Sequence, residues 1–383
     1  MSQPAEIPIP PNLSRRYSGS STGRDWLAAL PRLVRHCLDQ WQLELDLAPG
    51  ALPWNGHGAI VVPVRLRAGT GTAAKTMEAS ASTGASEATG DAARQATVLK
   101  IAYPHDEALL EPQALALWNG RGAVRLLAGD AGAGALLLER LDAARSLRDA
   151  PMDEAVPVWG ALVRRLSLVP DGRPGWQDFD HVAARAEQWS DELPESWERL
   201  GRPFPRWLLE AALEVCQTRG AVGRRSARDV LVHTDLHYLN ILARLRSAEP
   251  QGGGGGPAGG WAAIDPQPMV GEAEFAVAPL LWNRIRELPR ADPEQGLRER
   301  CRDFSRAAGL DAGVARQWSL AREVENALWY ASKPRHEGDL ARSLWVASTL
   351  AGRTLPELPA PHALPEPGGG TAQRASDRSQ VRP

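Results

Sequence analysis

The sequence predicts an α+β protein in two lobes, a small sheet-rich N-terminal lobe followed by a larger helical one. Strand-like apolar runs are concentrated before about residue 141, and helix-like spacing dominates after about residue 150. The chain has 383 residues, enough for two ordinary domains or one large two-lobed one. With 43 % apolar residues, a packed core is feasible.

Residues 1–22 are Pro- and Ser-rich, and a flexible N-terminus is expected there. Trp26, Leu27, Leu30, Leu33, Val34, Cys37 and Trp41 give residues 23–48 the apolar spacing of a helix. Strand-like runs follow at Gly58–Leu66 and Thr97–Ala102. Between them, 68–96 is rich in Gly, Ala, Ser and Thr and almost free of large apolar residues. It cannot bury enough surface to offset its ordering, so it reads as a mobile insertion between two strands. A helical 107–119 and strand-like 122–127 and 134–140 complete a mostly antiparallel sheet with a helix, the lobe 23–141.

The lobe 142–354 reads as helices over 152–168, 178–192 and 205–219, then short strands at Asp229–His233 and Asn240–Arg244. A Gly-rich loop, 249–260, leads to a third strand at Trp261–Ile264. Helices return at 275–288, 295–308, 314–332 and 339–351, and the tail 355–383 is expected to be disordered. A cleft between the lobes is the expected place for a site.

The net charge of −2 argues against nucleic acid or an anionic membrane as partner. No apolar run approaches the roughly 20 residues that span a bilayer. The N-terminal MSQPAEIPIPPNL lacks the basic-then-apolar order of a secretory signal. Cys37, Cys216 and Cys301 are odd in number and far apart, which suits a reducing cytoplasm better than a disulfide framework or a zinc site. Lys occurs only at 75, 100 and 333, the other basic residues being Arg. A lysine kept inside an apolar strand, Lys100, therefore draws attention, because ammonium and guanidinium are not interchangeable.

The strongest local signal runs from Val230 to Leu242. An apolar strand enters the polar loop His233-Thr234-Asp235-Leu236-His237, and the chain returns through Asn240 to a second strand. Asp followed five residues later by Asn is the spacing of a phosphoryl-transfer loop. The carboxylate must lie within about 2.6–3.2 Å of an attacking hydroxyl, while the amide faces a magnesium on the phosphates. An ordinary polar turn is the alternative. Asp265 ends the strand Trp261–Ile264 where a second magnesium ligand belongs, and a strand-end Asp is the alternative. Magnesium takes oxygen ligands and keeps several waters, so Asn240, Asp265 and phosphates suffice.

Lys100 is placed to contact nucleotide phosphates, with Glu111 as partner and Glu107 as the alternative; a solvent-facing edge lysine is the competing reading. The strand Leu136–Leu141, with Glu139 near its end, stands where one lobe hands over to the other and offers backbone groups to an adenine ring. An exposed strand end explains the Glu139 side chain equally well. His233 reads as a loop-orienting residue, and His237 as a residue that orients Asn240 or lines the cleft. Neither has the spacing of a zinc ligand. There is no Gly-x-x-x-x-Gly-Lys-Ser/Thr loop.

At these residues the sequence resembles the aminoglycoside/hydroxyurea antibiotic-resistance kinases, the group of the streptomycin 6-phosphotransferases, over roughly 25–350. The resemblance is carried by Val98-Leu99-Lys100, Glu111, Leu117-Trp118-Asn119-Gly120-Arg121-Gly122-Ala123-Val124-Arg125-Leu126-Leu127 and Ala135–Leu141. It continues through His233–Leu242, Ile264-Asp265-Pro266, Gly271-Glu272 and Ala278-Pro279-Leu280-Leu281-Trp282-Asn283. It implies a protein-kinase-like fold, ATP with Mg2+, and transfer to a hydroxyl of a small molecule such as an aminoglycoside. Asp235 would be the base, Asn240 and Asp265 the metal ligands, Lys100 the phosphate contact and Glu111 its orienting partner. The chain departs from the family pattern at Thr234, where Gly is usual, and at Gln267, where Lys is frequent. It also has Ala276 where an Asp buttresses the loop, leaving open what holds that loop here. The alternatives are a kinase of an amino sugar or another metabolite, and a nucleotide-binding regulatory pseudo-kinase. Glu323 and Glu325 suit a cationic substrate or a solvated helix face. The oligomeric state is not legible.

Overall fold

Apolar anchors, rather than composition, decide where the chain begins to fold. The structure, a computed structural model, describes residues 7–56, 58–67, 96–104, 106–220, 228–245 and 258–364. Helix α1 (Pro11–Tyr17) starts on a proline at its first turn, where the missing N–H costs nothing. It buries Leu13 and Tyr17, and the Tyr17 ring stacks on Tyr103 at 4.5 Å and meets Trp26 edge-on at 5.0 Å. The expectation of a flexible 1–22 is therefore corrected from Ile7 onward: three aromatic rings hold a segment that its Pro and Ser content alone would leave loose.

Helix α2 (Ser21–Gln40) is capped by the Ser20 hydroxyl, which accepts from the Gly23 amide at 3.0 Å. Its buried stripe, Trp26, Leu30, Val34 and Cys37, follows helical spacing. It ends earlier than its apolar residues suggest, because Gln42 turns with φ +52 and Leu43–Leu45 leaves as strand β1. Strands β2 (Trp54–Asn55), β3 (Ala59–Leu66) and β4 (Thr97–Ala102), helix α3 (Asp106–Trp118), and strands β5 (Leu126–Asp130) and β6 (Ala135–Glu139) follow. The sheet has the order β1-β3-β4-β6-β5, with β2 on β3, and is antiparallel throughout. Successive side chains alternate faces. Leu99 and Ile101 of β4 join Ile60, Val62, Val64 and Leu137 in a core against Trp26, Leu30 and Val34 of α2. Lys100 must then point to the opposite face.

Strand β7 (Leu141–Ser146), which the sequence did not suggest, pairs with β9. The helical part holds α4 (Met152–Leu166), α5 (Val182–Arg199) and α6 (Arg206–Arg219). Strands β8 (Val230–His233), β9 (Ile241–Arg244), β10 (Trp261–Ala263) and β11 (Pro268–Gly271) come next. The chain ends in α7 (Ala278–Leu281), α8 (Pro293–Ala308), α9 (Ala312–Ala331) and α10 (Glu337–Leu350). Two small ladders, β10-β9-β7 and β11-β8, lie among these helices, with β10 antiparallel to β9 and β11 to β8. Segment 275–288 is not one helix: a 3-10 turn (Ala273–Val277), α7 and a second 3-10 turn (Ile285–Glu287) replace it, with Arg284 at φ +53. Residues 122–127 do not form one strand, since Ala123 bridges to Ala263 and β5 begins at Leu126.

The chain divides into two compact units, one built from residues up to Gly120 with Val124–Leu141, the other from Arg121–Ala123 with Asp142 onward. The second extends past 354: Leu355 and Leu364 are buried, and the His362 ring bonds the Leu288 carbonyl at 2.9 Å. The expected disordered tail is thus corrected through Leu364. The insertions expected at 68–96 and 249–260 lie outside the described residues, except Ala96 and the turn 258–260. The three cysteines are free and buried, and burial raises each thiol, Cys216 to about 12.

Candidate phosphoryl-transfer site

Each unit holds its own group of candidate residues. In the first, Lys100 sits mid-strand, paired with Val61 on one side and Leu136 on the other. Its Nζ donates to both oxygens of Glu111 on α3, at 2.7 and 2.6 Å. Both side chains are more than 90 % buried. A forked ion pair in so dry a place is costly to build and costlier to break. It fixes the ammonium at one point on the face that α3 covers. Glu111 is the partner that the structure shows; the Glu107 side chain lies outside the described residues.

Glu139 and Leu141 lie at the end of β6 and the start of β7. The Glu139 carboxylate accepts from the Arg125 amide at 2.8 Å, while Glu139 N donates to the Arg125 carbonyl at 3.0 Å. The side chain thus closes the junction between β5 and β6. Leu141 is buried, and the Arg140 amide is taken by the Ala96 carbonyl.

In the second unit the loop between β8 and β9 is held at nearly every peptide. His233 is buried at the end of β8. One ring nitrogen, Nε2, meets the Ile264 carbonyl at 3.0 Å, and Nδ1 accepts from the Asp235 amide at 3.3 Å. That pair of contacts requires the neutral Nε2–H tautomer. Burial keeps it so, lowering the His233 pKa from 6.5 to about 4. Thr234 donates twice to the Gln267 carbonyl, from its amide at 3.0 Å and its hydroxyl at 2.9 Å. The hydroxyl gives the residue at 234 a use that Gly could not serve. The indole of Trp159 donates to the Leu236 carbonyl at 3.0 Å. On α9, Arg322 donates to the Thr234 carbonyl.

The result is a carboxylate on a stiff platform. The Asp235 side chain is 28 % exposed. The Asn240 amide donates to the Asp235 carbonyl at 2.9 Å and faces its Oδ2 at 3.4 Å. His237 Nε2 lies 3.6 Å from the same carboxylate, with its Nδ1 accepting from the Leu239 amide. His237 thus flanks Asp235; it is Asn240 that bonds the loop.

With the Asn240 amide nitrogen used on the loop, its Oδ1 is the atom left to serve as a metal ligand. Asp265 follows β10, whose ladder with β9 (Ala263 opposite Ile241, and Ile264 N to Asn240 O at 2.9 Å) brings Asn240 and Asp265 to the ends of paired strands. Asp265 is exposed and adopts φ +55, a conformation that a non-glycine residue takes at some cost. One amide oxygen and one carboxylate fit magnesium, which binds few protein ligands. Glu323, by contrast, does not lie on a solvated face. It is fully buried, its Oε1 accepting from the Asn326 amide at 3.1 Å.

Reading the sequence missed Thr234 as a donor, Trp159 and Arg322. Arg322 carried a faint signal, a charge among Leu320, Ala321 and Val324 on a helix.

Residues 86–333 match the family described as aminoglycoside/hydroxyurea antibiotic resistance kinase. The chain is 34 % identical to the streptomycin 6-kinase of Streptomyces griseus over 336 residues, 86 % of this chain and 92 % of that one. It is 34 % identical to the hydroxyurea phosphotransferase of Kitasatospora aureofaciens over 363 residues, 91 % of this chain and 87 % of that one. Among solved structures it is similar to a choline kinase from Cryptosporidium parvum, with 11 % identity and a TM-score of 0.46. That likeness covers 81 % of this chain and 88 % of that one.

Proposed function

The chain belongs to the aminoglycoside/hydroxyurea antibiotic resistance kinase family, a family of small-molecule phosphotransferases with a protein-kinase-like fold, and from that premise we propose that it transfers the γ-phosphoryl of ATP to a hydroxyl of a streptomycin-type aminoglycoside. The observation that carries phosphoryl transfer is the loop: Asp235 is part-exposed on a platform whose other polar groups are tied down.

In this reading the Lys100 ammonium, aimed by Glu111, takes the nucleotide phosphates. Asp235 Oδ2 accepts the proton of the acceptor hydroxyl as its oxygen attacks phosphorus in line with the leaving diphosphate. Asn240 holds the Asp235 carbonyl, and so the direction of the base. Magnesium, held by Asn240 and Asp265, would neutralise charge on the phosphate oxygens. His233 stays neutral and acts on the loop, not on substrate. Glu139 and Leu141 keep a role only through the backbone around the strand junction. A second acceptor class is supported by the hydroxyurea phosphotransferase, which is matched at the same 34 % identity as the streptomycin enzyme.

The test incubates the protein with labelled ATP, magnesium and a panel of streptomycin, other aminoglycosides, hydroxyurea and glucosamine, with Asp235→Asn alongside. The expected result is label on streptomycin, reduced by about 10²–10⁴-fold in the variant with ATP binding retained. Label on hydroxyurea or glucosamine alone would move the acceptor class. Label undiminished in Asp235→Asn would remove Asp235 as the base.

A further inference from the structure

The carbonyls of residues 234–237 each have a donor, and one donor is unlike the rest. Asp235 O accepts from the His237 amide at 2.9 Å and from the Asn240 side chain, Leu236 O accepts from Trp159, and His237 O accepts from the Asn240 amide at 3.0 Å. These donors are all neutral. The carbonyl of Thr234, the peptide that leads into Asp235, accepts instead from the guanidinium of Arg322. A charged donor bonds a carbonyl more strongly than a neutral one does.

Arg322 is itself clamped. It is 8 % exposed, and its guanidinium lies 5.2 Å over the Phe275 ring. That ring is wedged between Trp318, edge-on at 5.3 Å, and Trp189 at 6.1 Å. The Trp318 indole donates to Glu272 at 2.7 Å, and Glu272 pairs with Arg219 of α6 at 3.1 Å. Helices α5, α6 and α9 therefore all bear on one cation, and that cation bears on one peptide of the loop. At Ala276, one residue beyond Phe275, the side chain is a buried methyl group that can hold nothing by hydrogen bond.

We propose that Arg322 is the positioning residue of the catalytic loop, its guanidinium holding the Thr234–Asp235 peptide so that the carboxylate keeps one direction, with Phe275 as the aromatic seat that keeps the guanidinium in place. Arg322 acts through Asp235 and does not touch substrate. The planar fork is needed because one group must lie flat on a ring and donate to a carbonyl, which a lysine ammonium does poorly. This rests on Asp235 being the base.

The test compares Arg322→Met, Arg322→Lys and Phe275→Leu with Val324→Ala, a change at a fully buried position of the same helix that removes no hydrogen bond. Steady-state kinetics and amide hydrogen exchange over 234–237 are both read. Arg322→Met is expected to lower kcat by about tenfold or more with KM for ATP within about twofold, and to speed loop exchange by at least about tenfold beyond Val324→Ala. Arg322→Lys and Phe275→Leu fall between, and carry the comparison if Arg322→Met does not fold. Loop exchange and kcat no different from Val324→Ala would overturn the proposal, leaving Arg322 an ordinary core contact. Should the wild type transfer phosphate to no acceptor, the function above fails while the exchange data still decide the tether.

Discussion

Replacing His233 by Gln tests whether the loop depends on a neutral imidazole. In the folded chain His233 titrates at about 4, because burial disfavours its charged form, against an ordinary value of 6.5. A folded pKa below the unfolded one means that the unfolded chain binds the proton first as pH falls. Stability is therefore full above about pH 6.5 and drains between there and about pH 4. Each tenfold step is worth about 1.36 kcal/mol, so the limiting loss is about 3 kcal/mol, of which about 2 kcal/mol falls between pH 7 and pH 5. Protonation also fills Nδ1, the atom that accepts from the Asp235 amide. Gln cannot be protonated in this range. Urea unfolding of both proteins at pH 7 and pH 5 reads the effect. The variant, about 1 kcal/mol weaker at pH 7 through its imperfect hydrogen bonds, should lose about 2 kcal/mol less than the wild type on going to pH 5. Equal losses in the two proteins would refute the buried neutral imidazole.

Two further outcomes concern packing. Lys100→Met removes the ammonium that bonds both oxygens of the buried Glu111 carboxylate and should cost about 3–5 kcal/mol in urea unfolding, whereas Lys100→Met with Glu111→Leu should cost clearly less than the two single changes summed; strict additivity would contradict the coupled pair. Gly160→Ala puts a Cβ against the Ala307 backbone where α4 meets α8, closer than real Cβ atoms come, so about 1–3 kcal/mol of destabilisation is expected. Gly172→Ala, with nothing within 4 Å, should be near neutral, and parity between the two would remove the close approach.

Much of the candidate site was legible because phosphoryl transfer imposes spacing. His233, Asp235 and Asn240 lie within eight residues, and a short loop between two apolar strands can orient them without help from distant sequence. Lys100 stood out through the scarcity of lysine. Choosing Glu111 over Glu107 was a matter of helix register, which the structure shows in the 2.6 Å contact. Composition misled at the two ends, where Pro, Ser and Gly content suggested loose chain. Single aromatic or aliphatic anchors, Tyr17 and Leu364 among them, outweigh it through buried area.

The sequence by itself determined most of the elements and singled out the candidate side chains, since period, turn residues and motif spacing are local properties. Only the tertiary structure decided which groups keep those side chains in place. Arg322 is 88 residues from Thr234 in sequence and Trp159 is 77 from Leu236. A hydrogen bond to a main-chain carbonyl leaves no mark on the identity of the residue that accepts it. Such a tether is invisible until the chain has folded, because one of its two partners is a backbone atom that every residue carries.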